Sequence, residues 1–112
     1  MKYKKGDIVI VKYPFADLAT YKKRPALIIS NDTVNKTGDY LMVMVTSKIK
    51  NDGLSLPLMK NDFIDSNELP LTSFVRTHKI FLINDSLIIS KINSVSVNFL
   101  DKIKNKIIDI IK

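Results

Sequence analysis

Gly6-Asp7-Ile8-Val9-Ile10-Val11-Lys12-Tyr13-Pro14 is the stretch on which the fold class turns. Four β-branched residues in a row, followed by Lys12 and Tyr13, suit a pleated strand; Gly6-Asp7 opens the run and Pro14 closes it. Working outward, Ala26-Leu27-Ile28-Ile29-Ser30 reads as a second strand ended by Asn31-Asp32. Between the two, Phe15 to Arg24 breaks the pattern and reads as a long exposed loop that finishes in three consecutive cations, Lys22, Lys23 and Arg24. Long loops inside small domains are uncommon and often functional.

Thr33 to Asp39 is a turn, or a short helix followed by a turn. Tyr40-Leu41-Met42-Val43-Met44-Val45-Thr46 is a third strand, and its unbroken apolar run predicts burial on both faces. Asn51-Asp52-Gly53 is a turn, and Leu54 to Leu58 a short strand limited by Pro57. Lys60 to Leu71 is polar and favours no element. Thr72 to Lys79 alternates, with Ser73, Val75 and Thr77 on one face and Thr72, Phe74, Arg76 and His78 on the other. Phe81-Leu82-Ile83 and Leu87-Ile88-Ile89 are two further short strands around Asn84-Asp85. The period then changes: Phe99, Leu100, Ile103, Ile107, Ile110 and Ile111 recur at helical spacing, and Ser96 is positioned as the N-cap. Six or so short strands and one helix give a mainly β chain, a small, strongly bent antiparallel barrel with a C-terminal helix packed on it. Residues 1–112 read as a single domain without repeats or linkers.

The 112 residues carry 18 Lys and Arg against 11 acids, a net charge of +7, which favours a polyanionic partner, nucleic acid first and an acidic protein second. A compositional bias towards Lys, Ile and Asn explains the same number equally well. The absence of cysteine removes disulfides and thiolate metal sites, and the single histidine, His78, cannot build a histidine-rich metal centre. Neither a cleavage pattern nor a membrane-length apolar run is present, so the expectation is a cytoplasmic protein without metal, cofactor or membrane contact.

Three stretches, in order, resemble the MazF/PemK toxin family. The first is Gly6 to Asp17 continuing into Lys22-Lys23-Arg24-Pro25-Ala26-Leu27-Ile28-Ile29-Ser30, and it is the specific one. The second is Val43-Met44-Val45-Thr46-Ser47-Lys48. The third is Ser73 to Ile80, then Ile88-Ile89-Ser90-Lys91-Ile92-Asn93 and the terminal helix. The resemblance implies an SH3-like barrel of the MazF/CcdB type, a homodimer, and metal-independent cleavage of single-stranded RNA at short motifs. It also implies a cognate antitoxin covering the active groove, with DNA contacted only through that antitoxin. Arg24 matches the family's catalytic arginine and Thr46 its catalytic hydroxyl, with Ser47 beside it. Asn93 stands where relatives often carry glycine, and asparagine tolerates a left-handed turn.

The residue types suit that chemistry. A neighbouring 2′-hydroxyl can attack the phosphorus, and the enzyme then has to stabilise charge on the phosphoryl oxygens and manage two protons. The planar fork of Arg24 fits two phosphate oxygens and stays charged, which also makes it a poor base. Thr46 is the second catalytic candidate. Ser47, Lys48, Lys22, Lys23, Arg76 and His78 are candidates for binding the RNA, and Phe15 and Tyr21 for stacking on its bases. The general base is open between His78 and Asp17. Each residue has a plainer reading as well: Arg24 as a loop-end cation, Thr46-Ser47 as a strand end, Lys22-Lys23 as a solvated run, His78 as a surface side chain. The competing functions are a non-catalytic nucleic-acid or protein binder on the same barrel, such as a CcdB-like gyrase inhibitor, and an interaction module whose charge is only compositional.

Overall fold

In the computed structural model β1 (Asp7–Pro14) lies at the predicted place, paired with β2 (Tyr21–Ile28) on one side and with β6 (Ile88–Ser94) on the other. The structure describes residues 2–14, 21–65 and 72–112, leaving aside the side chains of Pro14 and Tyr21. A short helix, α1 (Asp32–Asn35), leads into β3 (Asp39–Thr46), followed by β4 (Ser55–Leu58) and β5 (Ser73–Asn84). The sheet order is β4-β5-β3-β2-β1-β6, and all neighbouring strands pair antiparallel. The sheet is rolled without closing into a continuous ladder. Its two edges meet at an isolated bridge, Phe63 with Val95, reinforced by Ile64 N–H to Ser94 O at 2.8 Å and Ser96 N–H to Asp62 O at 2.8 Å.

Alternation along the strands sorts the apolar side chains into two cores. Ile8, Leu27, Val43, Val45 and Val75 face inward and meet Phe99 and Ile103 of α2 (Val97–Ile111). Their neighbours Val9, Val11, Ala26, Met42 and Tyr40 pack on the opposite face with Ile83. The double burial expected of β3 is therefore observed. Ser96 caps α2 as the sequence requires, its Oγ accepting from Phe99 N–H at 3.2 Å. Gly6 joins these parts: its φ of +97° is a conformation few other residues adopt, and a Cβ there would sit 3.1 Å from Leu100 of α2. Its N–H reaches Ile28 O and its O accepts from Val95 N–H, both at 2.8 Å.

Three expectations are corrected. Lys22, Lys23 and Arg24 do not end a loop; they belong to β2, where Arg24 pairs with Val11 and Lys23 with Lys12. Local composition hides this because the pairing partner, not the intrinsic preference of three cations, supplies the strand. Pro25 is tolerated there because it pairs with Ile10 of β1, whereas the ladder to β3 begins only at Ala26. The stretches around Thr72–Lys79 and Phe81–Ile83 are one twelve-residue strand, β5, rather than two. Asn93 does not adopt a left-handed turn: no described residue other than glycine has positive φ. It is buried in β6, where its side-chain oxygen accepts from Asp65 N–H at 3.2 Å and Ser94 N–H at 2.7 Å.

Candidate active site

The middle of β2, the end of β3 and the first part of β5 line a cavity of about 620 Å³. Ala26 pairs with Met44 at the end of the β2–β3 ladder, and Arg24 and Thr46 each lie two residues beyond that last pair on their own strands. Both line the cavity, although they stand far apart in the sequence. Ile10, Pro25 and Ile92 supply apolar wall between them.

Arg24 is exposed on its strand and has no ion-pair partner among the described residues. Thr46 is half-buried, and its Oγ1 accepts from Lys48 N–H at 3.1 Å. That bond occupies one lone pair and leaves the hydroxyl hydrogen to donate. Ser47 and Lys48, just beyond the strand, line the cavity as well.

Arg76 reaches the same wall, though most of its donors are already used. Nη1 donates to Asp52 Oδ1 at 3.0 Å and to Ser55 Oγ at 2.8 Å, and Nη2 donates to Asp52 Oδ2 at 2.9 Å. This bidentate pair ties the turn at Asp52, and with it the segment bearing Lys48 and Lys50, to β5. Hydrogen bonding from Arg76 holds the Asp52 carboxyl well below the usual carboxylate range, and bonding to Asp52 raises the guanidinium of Arg76 in return. A depressed carboxylate stabilises the fold fully above its unfolded pKa of about 4 and loses that contribution as pH falls towards the folded value. Asp52→Asn is therefore expected to lower the urea midpoint by a constant amount between neutral pH and about pH 5, with the gap to the parent closing below about pH 4. A gap that persisted at the acid end would show that the side chain acts by something other than its charge.

Of the other candidates, Lys22 and Lys23 are exposed on β2 outside the cavity lining, and His78 is exposed outside it too. His78 Nε2 lies 3.5 Å from Arg76 Nη2, beyond a strong hydrogen bond. Asp17 and Phe15 lie outside the described residues, as does the side chain of Tyr21. The structure adds two cations that the sequence reading passed over, Lys50 and Lys79. Lys50 follows the Thr-Ser pair closely enough to have been suspected; Lys79 carried no local signal. Among the described residues no aspartate or glutamate lines the cavity, and no group of three or more His, Cys, Asp or Glu is placed to hold a metal ion. No described helix is long and apolar enough to cross a membrane.

The family model for PemK-like, MazF-like toxins of type II toxin–antitoxin systems matches residues 4–111. The chain belongs to this family. Arg24 and Thr46, which the resemblance singled out, both line the cavity of this chain. Among solved structures, an endoribonuclease in complex with its cognate antitoxin from a mycobacterial species superposes with a TM-score of 0.76 at 19% identity, covering 96% of this chain and 92% of that one. MazF in a MazE–MazF complex from Deinococcus radiodurans superposes with a TM-score of 0.79 at 18% identity, covering 98% and 96%. MazF alone from the same organism gives 0.75 at 20% identity, covering 96% and 94%. At these identities the likeness is one of fold. The search of curated proteins gives no match.

Proposed function

We propose that the chain is a toxin that cleaves single-stranded RNA without a metal ion, with Arg24 and Thr46 carrying the chemistry. The observation that supports this best is the meeting of Arg24 and Thr46 in a cavity lined by cations and by no carboxylate among the described residues. The phosphate of the RNA sits against the Arg24 fork and the Thr46 hydroxyl. The adjacent 2′-oxygen forms a bond to phosphorus and gives up its proton, the bond from phosphorus to the 5′-oxygen breaks, and that oxygen takes up a proton. The products are a 2′,3′-cyclic phosphate and a 5′-hydroxyl. Arg24 and Thr46 stabilise the charge that builds on the phosphoryl oxygens. Ser47 and Lys48 extend the phosphate contacts. Lys22, Lys23 and His78, displayed on exposed strand, meet the backbone further out and steer it by charge. Arg76 contributes through the face it turns to the cavity while Asp52 holds it in place.

The same reading gives the protein a cognate antitoxin that covers the cavity, a cytoplasmic location, and DNA contact only through the antitoxin. A homodimer is supported by apolar surface left exposed on the sheet, Leu82 of β5 and Ile89 of β6. The test is incubation of the purified protein with a long single-stranded RNA in EDTA, followed by mapping of the 5′ ends. Discrete cuts at a recurring short motif are expected. RNA that is shifted on a gel but remains intact would transfer the function to a non-catalytic binder on the same barrel.

A further inference from the structure

β3 and β5 pair in register from Thr46–Phe74 to Met44–Arg76, and the next pair is Val43–Ile80. Three residues of β5, at positions 77–79, thus stand against a single step of β3. The insertion is anchored. Thr77 turns to the other neighbour, its N–H donating to Leu54 O at 2.9 Å and its Oγ1 to the same oxygen at 2.7 Å. An insertion of this kind bends a strand and re-aims a side chain, and such irregularities collect beside active sites. Because the number inserted is odd, it also reverses which face a given parity takes: Val75 before it packs in the cluster under α2, whereas Phe81 and Ile83 after it pack in the cluster on the opposite face. The two inserted residues beyond Thr77 separate here. His78 is exposed outside the cavity, while Lys79 lines it.

The cavity wall then carries Arg24, Lys48, Lys50 and Lys79, none of which has an ion-pair partner among the described residues. The nearby carboxylate, Asp52, is committed to Arg76. One phosphate held by Arg24 and Thr46 leaves the remaining cations uncompensated, and a volume of about 620 Å³ is far more than a single phosphate fills. A polyanion with regularly spaced charges relieves both. We infer that Lys79, with Lys50 from the β3–β4 connection, binds a second phosphate of the RNA, next to the one that is cleaved. Its role is to hold the strand on both sides of the reacting bond rather than to take part in bond breaking. The inference rests on RNA being the substrate of this cavity.

The test uses a labelled single-stranded oligonucleotide with 2′-fluoro sugars, which lacks the attacking hydroxyl, and follows binding by anisotropy across a salt series. The matching RNA is assayed for cleavage in parallel. Lys79→Ala is expected to bind about tenfold more weakly, as for loss of a charge-assisted hydrogen bond. Its log–log salt slope should shrink by about 0.7, the amount for one phosphate contact on a single strand. In cleavage, KM should rise while kcat stays near the parent, and Lys79→Arg should restore both. Lys36→Ala, at an exposed position that caps the end of α1 and lies outside the cavity lining, is the control for charge alone. A Lys79→Ala protein that matches Lys36→Ala in affinity and slope overturns the inference even if the parent cuts RNA normally. A parent that binds in a Lys79-dependent way and leaves the matching RNA whole supports the second phosphate site and refutes the ribonuclease reading. A parent that neither binds nor cuts refutes both.

Discussion

Arg24→Ala is expected to slow RNA cleavage on the order of 100-fold or more while leaving thermal stability within about a degree of the parent. The size follows from what preorganised, charged donors contribute at a site where charge develops in the transition state. The selectivity follows from burial. Arg24 is exposed, is paired through its backbone to Val11, and bonds to no other described side chain, so the fold does not depend on it. Arg24→Lys should recover only part of the rate, because an ammonium keeps the charge and loses the planar two-pronged contact. Thr46→Ala should also be slow, and Thr46→Ser should rescue it by restoring a hydroxyl at the same atom. The Thr46 hydroxyl additionally accepts from Lys48 N–H, so its removal loosens the segment that leads to Lys50. The measurement is the single-turnover rate on one defined RNA at saturating enzyme. Parent-like rates in both alanine variants would remove the pair from the chemistry.

Phe99→Ala is expected to cost about 3–5 kcal/mol, the range for truncating a fully buried aromatic side chain. Phe99 is 1% exposed and packs in the cluster formed by Ile8, Leu27, Val43 and Ile103, so it fastens α2 to the inner face of the sheet. At about 4–8 °C per kcal/mol for a domain of this size class, Tm should fall by on the order of 15 °C or more. Ile111→Ala, at 72% exposure on the same helix, should change Tm by no more than a degree or two. Thermal melts followed by circular dichroism compare the two directly. Equal, small shifts would mean that the helix rides on the sheet without being part of its core.

The contrast between these two residues shows where sequence reasoning reaches. Phe99 and Ile103 were legible because a helix repeats every 3.6 residues and the apolar positions follow that period. The strands β1 and β3 were legible because runs of β-branched and apolar residues suit few other conformations. Arg24 and Thr46 were singled out only through a family pattern; as isolated residues they look like any exposed cation and any strand end. The strand nature of Lys22 to Arg24 was not legible, since three cations have no local preference for a strand and acquire it from pairing with β1.

By itself, then, the sequence determined the mainly β character, the positions of most strands, the capped terminal helix and the positive charge, all of which depend on neighbours a few residues apart. The tertiary structure alone decided three things. It paired Ala26–Ile28 of β2 with Met42–Met44 of β3, and Arg24 and Thr46, just beyond that ladder, share one cavity. It locked Arg76 to Asp52, far away in sequence, so that a residue of the cavity wall also clamps the lysine-bearing segment. And it inserted three residues into β5, which carried Lys79 to the cavity wall and left His78 outside. The physical reason is the same in each case: register between strands is set by long-range pairing and by the packing of two sheet faces, and one shifted residue reverses which side chains point where.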